Sequence, residues 1–378
     1  MKVLILANND VGLYKFRKEL ISELLHPGSY ITDRIAEPCE VYISLPNGGF
    51  VPELVDMGCT FIDTPLERHG TNVVAELKLK NRYKQIVREV CPDIVFSYTI
   101  KPNIYGGMAC KALKVPCIMN ITGLGTAVEN GGVMQKIMLL LYRLALPGAK
   151  KVFFQNVENE QFFTAHNLAI GKHDMLPGSG VNVDQYSVLD YPPEDTIEFV
   201  FISRIMKEKG IDQYLEAAKV IREKYPQTRF HICGACEPEY DGELKKLIDD
   251  ETVIYHGLVK DIAQIHKVTH CTVHPTYYPE GMSNVLLEAC ASGRPIITTD
   301  RAGCREIIND GVNGFVVKQK DSDDLISKIE KFINLTYEQK KAMGIAARAK
   351  VEKEFDRKIV VRKYTDELNR LPAIGLLK

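Results

Sequence analysis

Two acids, Glu280 and Glu288, flank a Gly-Met-Ser turn inside the segment HPTYYPEGMSNVLLEACASGRPIITTDRAGCREIINDGVNGFVV, residues 274–317. Ser283 is the predicted N-cap of a short apolar helix, and Gly293 followed by Pro295 its stop. The backbone amides of Gly281, Met282 and Ser283 are expected to be free in front of this helix, a place that favours phosphate. Glu288 sits in the second turn among Leu286, Leu287, Ala289 and Cys290, where a carboxylate needs donors. A sugar diol supplies two. The pattern therefore suits a nucleotide sugar, with diphosphate at the helix tip, ribose on Glu288 and hexose beside Glu280. An acid near a helix N-terminus is also favourable with the helix dipole alone. The strand-like CTVHPT before the turn and PIITT after the helix argue for the ligand site.

A second constellation fits the same chemistry. TIEFVFISRIMKEKG reads as a buried strand, Ile197 to Ile202, followed by Arg204, Lys207, Lys209 and a helix opened by Gly210. Doubly wound sheets hold ligands just past the carboxyl ends of their strands. A diphosphate leaving group gathers charge as its glycosidic bond breaks, and an Arg with a Lys stabilises it. The plainer alternative is a solvated basic turn, and Lys207 is the weaker candidate because it can simply face water. Asp321-Ser322-Asp323 is an acid pair, but Ser322 or Asp323 reads as a helix cap, so no metal is expected. Cys233 and Cys236 make one CxxC with no second pair, which reads as a turn rather than a zinc site.

The elements that must position these residues follow an α/β rhythm. Strands are expected at 3–7, 40–44, 60–63, 94–97, 117–120 and 152–155, then at 197–202, 230–233, 253–256, 271–274, 296–299 and 315–317. Helical patterns over 16–25, 72–90, 106–114 and 134–146 lie between the early strands. The Pro-, Gly- and Asp-rich segment 176–195 reads as a linker, and 356–371 as an amphipathic terminal helix. The 378 residues suffice for two cores. A net charge of −1 offers no global field to recruit nucleic acid. Ten cysteines, mostly within apolar runs, read as reduced thiols of a cytosolic protein. No secretory leader is expected from MKVLILANND, and no apolar run reaches the roughly 18 residues of a spanning helix.

The acid pair with its turn, and the Arg with the Lys-Gly after the strand, resemble the donor site of the family 4 glycosyltransferases. That resemblance implies a retaining enzyme of GT-B architecture: two Rossmann-like α/β domains facing a cleft, with a C-terminal helix crossing back to the first. Residues 1–180 with 356–378 would form the acceptor-binding domain and 190–355 the nucleotide-sugar domain. Glu280, Arg204 and Lys209 would be catalytic. Glu288, Gly281, Met282 and Ser283 would bind the donor, with Gly12 relaxing the loop after the first strand and backbone around Leu258–Lys260 holding uracil. Gly-Met-Ser-Asn after the first acid departs mildly from the family pattern. The resemblance implies a UDP-sugar donor and no metal or other cofactor.

The segments YKFR (14–17), SYTIKPNIYGG (97–107) and NITGLGT (120–126) resemble a narrower group acting on polyprenyl-diphosphate-linked sugars. The acceptor is then a lipid-diphosphate glycan, with Arg17, Arg68 and Lys101 as candidates for its phosphates. Many family members carry a His after the fifth strand. Here the chain reads Ile121-Thr122-Gly123, leaving His69 or Thr122 for that role. Basic clusters at Lys15, Arg17 and Lys18, along 78–88, and around the apolar helix 134–146 (Lys136, Arg143, Lys150, Lys151) suit an interfacial position on anionic lipid. For 134–146 a core helix with solvated ends is the alternative. The expected location is cytoplasmic, peripheral at the inner membrane surface. Two other functions share the architecture, a nonhydrolysing UDP-sugar 2-epimerase and a non-catalytic nucleotide-sugar-binding subunit. A dinucleotide dehydrogenase is disfavoured, because NNDVGLY replaces the Gly-x-Gly-x-x-Gly turn.

Overall fold

A computed structural model describes residues 1–32, 35, 37–67, 72–125, 128 and 131–371. The chain divides into two compact units. The first comprises Met1–Gly180, Glu280–Met282 and Arg357–Lys378, and the second Val181–Pro279 with Ser283–Asp356. The division at Gly180 falls inside the segment read as a linker.

In the first unit the chain runs β1 (Lys2–Leu6), α1 (Asp10–Leu25), β2 (Glu40–Leu45), α2 (Val51–Asp56), β3 (Thr60–Asp63), α3 (Val73–Val90) and β4 (Ile94–Tyr98). A π turn, Pro102–Gly106, then leads into α4 (Gly107–Leu113), β5 (Cys117–Ile121), α5 (Gly132–Ala145), β6 (Ala149–Phe154), α6 (Val157–Ala165) and β7 (His173–Met175). The strands form a sheet in the order β3-β2-β1-β4-β5-β6-β7, and every recorded pairing is parallel. Both faces are covered, which is why the strands read as apolar runs instead of alternating. In β1, Val3 and Ile5 enter one core with Leu13, Leu20 and Leu24 of α1. Leu4 and Leu6 enter the opposite core with Tyr83 of α3 and Tyr142 of α5. β7 is short and half-buried, and the sequence reading missed it because HDM carries no apolar pattern.

The second unit contains β8 (Ile197–Ile202), α7 (Ile211–Lys224), β9 (Thr228–Cys233), α8 (Asp241–Asp249), β10 (Ile254–Tyr255) and α9 (Ile262–Val268). It continues through β11 (Cys271–His274), α10 (Asn284–Ala291), β12 (Ile296–Thr299), β13 (Gly314–Val317), α11 (Ser322–Ile333) and α12 (Tyr337–Glu354). Its sheet runs β10-β9-β8-β11-β12-β13, again with every recorded pairing parallel. Each sheet reverses winding once, between β1 and β4 and between β8 and β11. Such switch points open a crevice at the strands' carboxyl ends.

The terminal helix α13 (Arg357–Asn369) belongs to the first unit. Tyr364 is fully buried there, edge-on to Phe96 at 5.0 Å between ring centres, and its hydroxyl accepts a hydrogen bond from Asn120 Nδ2 at 3.0 Å. Arg357 anchors the first turn. It donates to the Glu19 carboxylate at 2.6 Å and to the Gly180 carbonyl at 3.0 Å, and both side chains of the pair are about nine-tenths buried. Removing one partner of such a pair leaves a charge buried and unpaired. We expect Arg357→Ala to lower unfolding stability by about 3–5 kcal/mol in a urea titration.

A buried base gives the second unit a pH dependence. His266 of α9 is fully buried, neither ring nitrogen has a hydrogen-bond partner, and burial, with Arg294 adding to it, pushes its pKa down to about 3. The unfolded chain takes up the proton near 6.5. Between those values the unfolded state binds more protons, so this contribution is complete above pH 6.5 and is lost as pH falls toward 3. The slope approaches about 1.4 kcal/mol per pH unit. His266→Leu is expected to flatten the acid limb of the urea midpoint; a limb as steep as wild type would show that other groups set it.

Candidate functional site

The carboxyl edge of the second sheet is built by close approach of backbone. After β8, Ser203 donates its amide to the Cys233 carbonyl at 3.0 Å and Ile205 to the Ala235 carbonyl at 2.8 Å, laying the Arg204 segment against the turn after β9. Gly234 makes this possible: at φ +148 a Cβ there would overlap the Ser203 carbonyl. Gly234 also donates to the Gly257 carbonyl at 2.8 Å, and its own carbonyl accepts from the Tyr255 hydroxyl at 2.9 Å. The loop carrying Leu258, 80% exposed, is thereby tied to the same edge. Cys233 and Cys236 shape this turn, and burial pushes their thiols up to about 12 and about 11, so neither offers the thiolate a metal would need.

Arg204 projects from this edge. Its side chain is half exposed, and Nη1 lies 3.8 Å from a Glu237 carboxylate oxygen, a loose surface pair. Residues 207–209 form a 3₁₀ turn, and Gly210 follows at φ +79 to open α7. A Cβ at Gly210 would overlap the Pro275 carbonyl. Glu208 ties the turn to the loop after β11: its carbonyl accepts from the Tyr277 amide at 2.9 Å and the Thr276 hydroxyl at 3.3 Å. That loop is held from β12, where Thr298 and Thr299 donate to the His274 and Thr276 carbonyls at 2.8 and 2.5 Å. Lys209 Nζ sits 4.5 Å from the centre of the Tyr278 ring, whereas Lys207 faces water. The structure thus brings Arg204, Lys209 and the approach to the acid pair onto one framework at the β8/β11 switch point.

The Gly-Met-Ser turn enters α10 as predicted, with one correction. Ser283 is the N-cap residue in extended conformation, but its hydroxyl makes no capping bond and is buried without a hydrogen-bond partner. Its amide donates to the Gly303 carbonyl at 2.8 Å, so it is not a free donor in front of the helix. The pairing is long-range, and local sequence cannot show it. Glu288 is half-buried on α10, and Gly293, at φ +74, ends that helix.

The segment Glu280–Met282 clusters with the first unit. Asn156 Nδ2 donates to the carbonyls of Glu280 and Gly281 at 3.0 and 2.7 Å. A side chain at Gly281 would overlap the Thr122 carbonyl and the Gln155 amide oxygen, and one at Gly178 would overlap Met282. Gln155 and Asn156 escaped the sequence reading. Their signal was a polar pair closing the apolar strand AKKVFF.

Two family models match the chain, "Glycosyl transferase 4-like" over residues 29–156 and "Glycosyl transferases group 1" over residues 191–350. The chain belongs to the group 1 glycosyltransferases. It is 23% identical to a Campylobacter jejuni protein named N,N'-diacetylbacillosaminyl-diphospho-undecaprenol alpha-1,3-N-acetylgalactosaminyltransferase, covering 98% of this chain and 99% of that one. An Escherichia coli UDP-Gal:alpha-D-GlcNAc-diphosphoundecaprenol alpha-1,3-galactosyltransferase is 23% identical over 78% of this chain and 80% of its own. Among solved structures, Anabaena HepE in complex with UDP superposes with a TM-score of 0.78 at 18% identity, over 98% of this chain and 100% of that one. The two Rossmann-like sheets are those of GT-B glycosyltransferases.

Several residues read for the transferase's first unit stand differently in the fold. Gly12 lies within α1, and its amide donates to the Asn9 side chain that caps the helix at 2.6 Å; it therefore keeps helical backbone and loosens no loop. Arg17 is 4% exposed, packed 4.8 Å from the Tyr98 ring centre, with Nη1 on the Phe16 carbonyl, so it does not reach a phosphate in solvent. Lys101 pairs with Glu76 at 2.5 Å in a mostly buried contact. Arg68 and His69 lie outside the described residues. Asp321, rather than Ser322 or Asp323, caps α11, accepting from the Asp324 amide at 2.9 Å.

The Gly210 contact gives a direct test of the cationic turn. Gly210→Ala is expected to cost at least about 2 kcal/mol, from left-handed strain plus overlap with Pro275. Gly242→Ala, in open space on helix α8, should be neutral or stabilising by up to about 1 kcal/mol. Denaturant titration of the two variants makes the comparison.

Proposed function

We propose that this transferase moves a hexose or N-acetylhexosamine from a UDP-sugar to a polyprenyl-diphosphate-linked glycan, with retention of anomeric configuration, at the inner face of the cytoplasmic membrane. The observation that carries the reading is the solvent-accessible Arg204 beside the Lys209 turn at the β8/β11 switch point. The relatives named above, whose acceptors are undecaprenol-diphosphate sugars, support the choice of acceptor class. Arg204 and Lys209 stabilise the departing UDP through fixed positive charge. The bond from the anomeric carbon to the diphosphate oxygen breaks as the acceptor oxygen bonds to the same face of that carbon. The acceptor's hydroxyl proton passes to the departing phosphate oxygen. Glu280 orients the hexose and Glu288 holds the ribose diol. The two cations supply the neutralisation a divalent metal would otherwise give, so activity should survive excess chelator.

The test is release of nucleoside diphosphate from a panel of UDP- and GDP-sugars, with and without lipid-diphosphate mono- and disaccharides. Release that requires one donor and a lipid acceptor together is the expected result. Sugar converted in place without transfer would overturn the reading, and a glycosyl group trapped on Glu280 would replace the single-step mechanism with a double displacement. Arg204→Ala is expected to lower kcat about 10²–10³-fold. Turnover within a few-fold of wild type would remove Arg204 from the site.

A further inference from the structure

Helix α5 carries two apolar faces. Tyr142 and Ala145 are buried in the first unit's core, and Met138, Leu139 and Leu141 pack against it. The opposite face carries Val133, Ile137, Leu140 and Leu144 at helical spacing, exposed by 74, 44, 57 and 48%. Lys136 and Arg143, one heptad apart, are exposed along one edge of this stripe. Residues 131–148 contain no acid at all. The first turn of α3, which packs on the same core layer, exposes Val73 and Leu77 as well.

We propose that the outer face of α5 seats this protein on an anionic phospholipid surface, its apolar stripe in the headgroup–acyl boundary and Lys136 and Arg143 on lipid phosphates. The assignment builds on the lipid-acceptor reading above and identifies the element that makes the contact. Charge complementarity selects the occupant. A stripe edged by cations and free of acids matches anionic headgroups. A second copy laid on the same stripe would bring like charges together with nothing on the helix to offset them. The 14 residues of α5 span about 21 Å, and among the described residues no helix is long and apolar enough to cross a membrane. The helix therefore lies flat.

Flotation of the full-length protein with vesicles of phosphatidylcholine, alone or with phosphatidylglycerol as a minority component, tests this. Wild type should float with the anionic vesicles and lose binding as salt rises. Ile137→Asp with Leu140→Asp should lower partitioning at least about tenfold. Lys136→Gln with Arg143→Gln should lower it about thirtyfold on anionic vesicles, at roughly one headgroup interaction per cation, with little change on neutral ones. All four positions face solvent, so thermal melts should match wild type, as should turnover of a water-soluble, short-chain diphosphate-sugar acceptor. Wild type that stays with the soluble fraction, or variants that float like wild type, would overturn the proposal. So would variants that only dissociate a dimer in sedimentation. If no soluble acceptor is glycosylated even by wild type, the transfer reading falls while the vesicle result stands by itself.

Discussion

The arrangement of the second unit depends on backbone packed against backbone at the carboxyl edge of its sheet. Parallel strands end in loops whose amides and carbonyls need partners, and a buried loop without them is costly. Here the loops satisfy one another: Ser203 with Cys233, Gly234 with Gly257, and Glu208 with Tyr277. Such approach is possible only where Cβ atoms are missing, as at Gly234 and Gly210. The two glycines thus decide where Arg204 and Lys209 stand, although neither carries a functional group. A preorganised cation is effective at a developing charge because it needs no rearrangement when the charge appears.

The first unit is held together differently, through buried polar links to the terminal helix. Arg357 joins Glu19 and the Gly180 carbonyl, while Tyr364 fills a ring cluster and accepts from Asn120. An apolar helix face alone would allow neighbouring registers, whereas a buried ion pair and a hydroxyl with one partner specify a single seating. The same unit leaves one helix, α5, with apolar surface on both sides. Burial of one face against the core is ordinary; an uncovered, cation-edged second face needs a partner outside the fold.

Much of this was legible in the chain. The strand–helix alternation located twelve of the thirteen strands, because apolar runs of four to six residues between turn residues mark strands covered on both faces. The acid pair, the turn and the basic segment after β8 were visible for a related reason: their residue types suit one ligand and lie at loop positions. Ser283, Gly12 and Arg17 read less well. Ser283 has the right type for a cap, but its amide meets Gly303 across the fold. Gly12 suggests a loosened loop, yet Asn9 two residues upstream of Val11 closes it into a helix. Arg17 belongs to a basic cluster by sequence and to the core by packing, where Tyr98 covers its guanidinium.

By itself, then, the sequence determined the two parallel sheets, the turn chemistry at their edges and the residue types available to a nucleotide sugar. Those are set by local patterns of hydrophobicity, glycine placement and charge. The tertiary structure decided which polar groups remain accessible. It withdrew Arg17 beneath Tyr98, coupled Lys101 to Glu76, occupied the Ser283 amide and left the outer face of α5 uncovered. Each of these outcomes depends on a partner far away in the chain, and burial and pairing are properties of the folded neighbourhood rather than of any segment within it.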